Sequence, residues 1–77
     1  MNYKKKIIDI ISDILNIKKK EISNKTSMKN IEQWDSLKQM QIIMAIEDEF
    51  NIKFNEYNLS NANSVEKLLK TIQKLKR

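Results

Sequence analysis

One serine in this chain stands where its hydroxyl group could be modified. Ser36 follows Asp35 and precedes Leu37, at the point where a polar segment gives way to a run with helical spacing. Free backbone N–H groups and the positive end of the helix dipole meet at a helix start, and both favour a phosphate group there. A phosphate ester on the Ser36 oxygen is therefore chemically reasonable. Ser36 also has a purely structural interpretation, because serine is a preferred N-cap residue.

The residues after Ser36 predict how this helix begins and ends. Ser36 and Gln39 have the spacing of a capping box, in which the two side chains satisfy backbone N–H groups of the first turn. We therefore expect Ser36 to be the N-cap, with Asp35 as the alternative. The helix then runs to about Phe50, and Asn51 ends it.

The predicted helix has two opposite edges when its residues are placed at ~100° intervals. One edge, assigned to the core, consists of Ile42, Ile43, Ile46 and Phe50. The opposite edge consists of Leu37, Gln41, Met44 and Asp48. Apolar residues on an outward edge suggest a surface that contacts a partner. A single exposed leucine or methionine is also ordinary, so the edge alone leaves both interpretations open.

Composition excludes several classes of chemistry. The chain has 77 residues, no cysteine and no histidine. It therefore lacks disulfides, thiolate metal sites, a cysteine nucleophile, the imidazole base and the hydrolytic triads. Any thiol chemistry needs a thiol from outside the chain. The length allows one domain, which we place at residues 1–77.

Charge is distributed unevenly along the chain, whose net charge is +5. Residues 1–20 carry six lysines against two aspartates, and residues 64–77 carry five basic groups against one glutamate. Residues 35–50 carry one lysine against four acidic residues. No apolar run approaches the ~18 residues of a membrane span. We therefore expect a cytoplasmic protein, with an acidic region around Ser36.

The other elements are also helical by pattern. Apolar residues recur at helical spacing over residues 3–15, and Asn16 can end that helix in the left-handed conformation. A long loop over residues 16–35 follows, and a short helical piece is expected near residues 56–62. Asn63 or Ser64 caps a last helix with one apolar stripe. The prediction is an all-α fold, a small four-helix bundle of three long helices and one short one.

These features together resemble the acyl and peptidyl carrier proteins. The resemblance rests on Asp35-Ser36-Leu37 at the start of the second helix, on the acidic end of that helix ahead of Phe50, and on the closing Ser64-Val65 helix. It implies a protein that is not an enzyme. Ser36 would carry a 4'-phosphopantetheine arm derived from coenzyme A, and the terminal thiol would hold acyl or aminoacyl groups as thioesters.

The resemblance also implies roles for residues near Ser36. Asp35 matches an aspartate associated with recognition by the phosphopantetheinyl transferase, and Glu47 and Asp48 match acids that pair with basic patches on partner enzymes. Leu37, Gln41 and Met44 would help to present the arm. The implied partners are the transferase, an acyl- or aminoacyl-loading ligase and downstream pathway enzymes. We expect a monomer with no nucleic-acid or membrane partner.

Three residues depart from the pattern of fatty-acid carriers. Lys38 and Gln41 stand where those carriers usually have acidic residues, and Trp34 replaces a small residue. The chain is also basic where those carriers are strongly acidic. The attachment motif is intact, so we expect a dedicated carrier of a specialised assembly or surface-sugar pathway.

Other functions remain open at the level of sequence. A small basic helical domain could bind nucleic acid through its lysine-rich ends, although the acidic run from Glu47 to Glu49 would repel phosphates. An unmodified helical interaction module is a second alternative. A membrane-surface helix at residues 3–15 is disfavoured, because Asp9, Ser12 and Asp13 make its polar face acidic.

Overall fold

The computed structural model describes residues 2–76, and within this range the chain forms four α-helices. They are α1 (Tyr3–Leu15), α2 (Ser36–Phe50), α3 (Glu56–Asn61) and α4 (Val65–Leu75). Three have 13, 15 and 11 residues, and α3 has 6. The described residues form no β-strand. The predicted all-α bundle of three long helices and one short helix is confirmed, whereas the single-domain extent 1–77 stays a prediction.

Asparagine residues cap both ends of α1 and the C-terminal end of α2, in a chain that has no glycine. The Asn2 side chain accepts a hydrogen bond from the Lys5 backbone N–H at 3.1 Å. Asn16 and Asn51 end α1 and α2 in the left-handed conformation, with φ values of 56° and 55°. Asparagine tolerates this conformation better than most residues with a Cβ atom. Both helix ends therefore lie where the sequence predicted them.

The core is built around α1, which packs against both α2 and α4. The predicted core edge of α2 is confirmed, because Ile42, Ile43, Ile46 and Phe50 are all buried. The remaining buried apolar residues of the helices are Ile7, Ile11, Leu15, Val65, Leu68 and Ile72. Tyr3 adds an edge-to-face contact with Phe50, with ring centroids 5.4 Å apart.

The loop between α1 and α2 is more ordered than the sequence predicted. It contains a 3-10 turn at Lys19–Glu21, and it pairs with the start of α4. The Val65 N–H donates to the Thr26 carbonyl at 3.0 Å, and the Met28 N–H donates to the Asn63 carbonyl at 3.0 Å. These bonds join residues far apart in the sequence, so no local pattern indicated them. They fix the loop against α4.

A buried side-chain amide connects three parts of the bundle. The Trp34 indole N–H donates to Gln39 Oε1 at 2.8 Å. Gln39 Nε2 in turn donates to the carbonyls of Ala62 at 2.9 Å and of Leu59 at 3.3 Å. Gln39 is 6% exposed and Trp34 is 1% exposed, so water cannot replace these partners. The loop before α2, the first turns of α2 and the α3–α4 connection are therefore held together at one side chain.

Replacing this amide should destabilise the bundle. Gln39→Ala leaves the Trp34 indole N–H and the Ala62 carbonyl without their partner, and each buried unsatisfied group costs ~1–3 kcal/mol. We expect the free energy of unfolding to fall by about 2–4 kcal/mol in chemical denaturation. Gln41→Ala removes the same side chain from an exposed position and should change stability by no more than about 0.5 kcal/mol. Equal stability of the two variants would show that the bonds contribute nothing.

Candidate functional site

Asp35, and not Ser36, is the N-cap of α2. Its carboxylate accepts a hydrogen bond from the Lys38 N–H at 2.9 Å, and its carbonyl accepts the first bond of the helix from the Gln39 N–H at 2.8 Å. The predicted capping box of Ser36 and Gln39 is therefore wrong. A carboxylate is a stronger acceptor than a hydroxyl and also suits the positive end of the helix dipole. Gln39 cannot reach back to the cap, because its amide is engaged in the core.

This capping arrangement leaves the Ser36 hydroxyl available for chemistry. Ser36 is the first residue of α2 and is exposed to solvent. Asp35 satisfies the Lys38 N–H, whereas the N–H groups of Ser36 and Leu37 lie in the first turn, where a helix offers no acceptor of its own. An anion bonded to the Ser36 oxygen would meet these N–H groups and the positive end of the helix dipole. The residues present therefore fit a phosphate ester at Ser36.

The outward edge of α2 is exposed as the helical angles predicted. Leu37 is 65% exposed and Met44 is 62% exposed, and Gln41 and Asp48 are exposed as well. Met40 is 45% exposed and lies between Ser36 and Met44 on the same side of the helix. Met40 was not part of the predicted edge, although its angle of ~40° from Ser36 could have placed it beside that edge. We define the outward face of α2 as Leu37, Met40, Gln41, Met44 and Asp48.

The three acidic residues at the end of α2 have different surroundings. Glu47 is half-buried, and its carboxylate accepts a hydrogen bond from the Phe54 N–H at 2.8 Å. Glu49 forms an ion pair with Lys6 of α1 at 3.1 Å. Among residues 2–76, Asp48 alone of the three acids has no such partner and is fully available to another molecule. The role predicted for Glu47 in partner binding stays a prediction. One of its carboxylate oxygens is occupied by the hydrogen bond from Phe54, which stabilises the turn after α2.

An open groove of about 660 Å³ continues the outward face of α2 towards the next turn. Its lining includes Met44 and Asp48 of α2 and Ile52 and Lys53 of the turn that follows. Within the described residues, no group of three or more acidic, histidine or cysteine side chains is placed to hold a metal ion. Across residues 2–76, no helix has the length and apolar character required to cross a membrane.

Comparison with protein families agrees with this geometry. Residues 5–72 match the family model described as a phosphopantetheine attachment site. The chain belongs to the phosphopantetheine-binding carrier proteins. It is thus a carrier protein and not an enzyme, and its prosthetic group is a covalently attached 4'-phosphopantetheine. Membership also implies interaction with a phosphopantetheinyl transferase and with enzymes that handle acyl groups. Neither the nucleic-acid-binding alternative nor the unmodified module is supported.

Several similar proteins are acyl carrier proteins of Buchnera aphidicola. The protein of subsp. Schizaphis graminum (strain Sg) is 44% identical over 66 residues, which are 86% of this chain and 84% of that protein. The protein of subsp. Acyrthosiphon pisum (strain Tuc7) is 36% identical over 73 residues, which are 95% and 91% of the two chains. The protein of subsp. Baizongia pistaciae (strain Bp) is 34% identical over 73 residues, 95% and 94% of the two chains. The similarity covers nearly the whole carrier.

The two edges of α2 should respond differently to substitution. Phe50→Ala empties a core position and should lower the free energy of unfolding by ~3–5 kcal/mol. Leu37→Glu and Met44→Glu change exposed positions and should shift it by only about 0.5 kcal/mol. The phosphopantetheinyl transferase should nevertheless modify the two glutamate variants more slowly, because binding must then desolvate a carboxylate at a position where the natural side chain makes an apolar contact with the enzyme. Thermal unfolding and the modification rate are measured for all three variants. Unfolding of the glutamate variants, or normal modification rates, would contradict a docking role.

Proposed function

We propose that Ser36 is the attachment point of the 4'-phosphopantetheine arm. The observation that carries this proposal is the division of roles at the start of α2, where Asp35 caps the helix and Ser36 is left exposed with an unused hydroxyl. Formation of the ester leaves the cap in place, since the Lys38 N–H is held by Asp35. The N–H groups of Ser36 and Leu37 offset the charge of the phosphodiester. The arm supplies a terminal thiol, which holds the cargo as a thioester.

The outward face of α2 is the proposed docking surface for the transferase and the acyl-handling enzymes. Leu37 and Met40 lie next to Ser36 on one side of it and would contribute apolar contacts close to the arm. Gln41, Met44 and Asp48 extend the surface along the helix. An apolar centre with polar and charged groups around it is typical of protein interfaces. This surface presents the arm, while the partner enzymes supply the catalysis.

The cargo and the pathway are proposed from the relatives and from the departures in this chain. The curated relatives are named acyl carrier proteins, which supports acyl cargo over aminoacyl cargo. Lys38, Gln41 and the net charge of +5 support a carrier of a specialised pathway, with a loading ligase of its own. We propose that this carrier works in the cytoplasm as a monomer, where coenzyme A and the transferase are available.

Modification at Ser36 can be tested by intact mass. Incubation with coenzyme A, Mg²⁺ and a broad-specificity phosphopantetheinyl transferase should add one arm per chain. Ser36→Ala should remove the mass shift, whereas Ser60→Ala, also an exposed serine, should keep it. Because Asp35 provides the cap, Ser36→Ala should change the free energy of unfolding by no more than about 0.5 kcal/mol. A mass shift that persists in Ser36→Ala, or that is absent with several active transferases, would reject Ser36 as the site.

Two substitutions at Asp35 separate its capping role from its charge. Asp35→Asn keeps an oxygen acceptor for the Lys38 N–H, whereas Asp35→Ala removes it and should cost ~1 kcal/mol of stability. If the transferase binds the carboxylate, both variants should lose modification efficiency by about tenfold or more, equivalent to ~1.4 kcal/mol. The measurement is kcat/KM for the transferase beside thermal unfolding. An Asp35→Asn variant modified as fast as the natural chain would limit Asp35 to its structural role.

A further inference from the structure

A basic groove lies between α3 and α4. Its volume is about 290 Å³. Tyr57 and Asn61 line it on the α3 side, and Lys67, Lys70 and Lys74 line it on the α4 side. We call these five residues the lysine groove. None of them belongs to the outward face of α2.

The fold accounts for only part of the positive charge of the lysine groove. Lys67, Lys70 and Lys74 follow one another at i, i+3 and i+7, so they lie within ~60° on the outer side of α4. Lys70 forms an ion pair with Glu66 at 3.3 Å. Within residues 2–76, no carboxylate lies within ion-pair distance of Lys67 or Lys74. Lys74 also lies in the last turn of α4, where the helix dipole favours a cation. Like charges at this spacing destabilise a helix by a few tenths of a kcal/mol, so these two effects do not account for three lysines on one side of α4.

An exposed aromatic ring stands beside these lysines. Tyr57 is 71% exposed, more than any other large apolar or aromatic residue that the structure describes. Asn61 Nδ2 donates to the Tyr57 carbonyl at 2.7 Å, which fixes the backbone below the ring. Tyrosine is enriched at protein interfaces, because its ring gives apolar contact and its hydroxyl group can form a hydrogen bond. The groove thus combines positive charge with an apolar contact.

We propose that the lysine groove docks an acidic segment of a partner protein. The positive charge of the groove favours an acidic occupant. Lys67 and Lys74 are seven residues apart, so at a rise of 1.5 Å per residue they lie ~10.5 Å apart along α4. A partner helix with carboxylates one heptad apart matches that distance. Glu56 and Glu66 are exposed next to groove residues in the sequence. These carboxylates would repel an extended polyanion such as nucleic acid, whereas a short acidic segment can contact Lys67 and Lys74 over a smaller surface.

This inference goes beyond the proposed function of Ser36 and does not depend on the arm. The outward face of α2 carries Asp48, and the lysine groove carries the opposite charge. A partner that complements both surfaces can bind in one orientation only, because a reversed orientation would place like charges together. The lysine groove would therefore select which enzymes accept this carrier.

The test uses a synthetic helical peptide as the probe. The peptide carries glutamates at i, i+3 and i+7 around a central leucine, and it is titrated at low ionic strength into the ¹⁵N-labelled protein while NMR shifts are recorded. Shifts should concentrate at Tyr57, Asn61 and residues 67–74. Lys67→Glu with Lys74→Glu should weaken binding by about tenfold or more, whereas the matched control Lys4→Glu with Lys5→Glu should weaken it less than about twofold. Ser36→Ala should bind the peptide normally, so the result of this test is independent of the result of the modification test at Ser36.

Several results would overturn the proposal. Equal weakening by the control pair would show attraction to net charge alone. Tighter binding of inorganic polyphosphate, duplex DNA or phosphatidylglycerol vesicles at the same residues would assign the groove to a different ligand. Absence of shifts at the groove would reject it outright. Circular dichroism checks that each variant folds. If Lys67→Glu with Lys74→Glu does not fold, Lys67→Gln with Lys74→Gln replaces it, and the glutamine variant should also weaken peptide binding.

Discussion

The placement of Ser36 depends on the buried amide of Gln39. Trp34 stands two residues before Ser36, and its indole N–H is bonded to Gln39 one turn into α2. The same amide binds the Ala62 carbonyl just before α4. Buried polar groups must be paired, so this set of bonds allows few alternative arrangements, whereas apolar packing alone would allow several. The loop that delivers Asp35 to its capping position is therefore fixed from within the core.

Because this loop is fixed, Asp35 and Ser36 can have separate roles, the first structural and the second chemical. A serine that capped its own helix would use its hydroxyl group as an acceptor, and an ester would alter that bond. Here the Asp35 carboxylate holds the Lys38 N–H, while Ser36 only begins the helix. The helix start can keep its geometry whether or not the serine oxygen is esterified. The apolar outward face beside it is equally unnecessary to the core, since Leu37 and Met44 are mostly exposed.

Local patterns in the sequence predicted the elements but not the contacts between them. Helical spacing and the asparagines that end the helices predicted the bounds of α1 and α2 to within about a residue. Both signals depend only on nearby residues: the periodicity of apolar side chains and the tolerance of asparagine for the left-handed conformation. The cap was misassigned because Asp35 and Ser36 are both good N-caps in adjacent positions. The buried role of Gln39 and the bond from Phe54 to Glu47 depend on distant partners. Helical spacing places Gln39 on the core edge with Ile46 and Phe50, but no local pattern identifies the distant groups that its amide binds.

The structure also changes the interpretation of the basic charge. Lys6 pairs with Glu49, and Lys76 Nζ donates to the Phe50 carbonyl at 3.3 Å. Both cations lie at the C-terminal end of α2, where positive charge is favoured by the helix dipole. Part of the lysine excess therefore stabilises the bundle. Exposed charges act over ~8 Å at physiological salt, so a partner senses the local surface and not the net charge. Lys67 and Lys74 have no carboxylate within ion-pair distance among residues 2–76, and they line a groove beside the exposed Tyr57, so the inference about a partner rests on them and not on the net charge of +5.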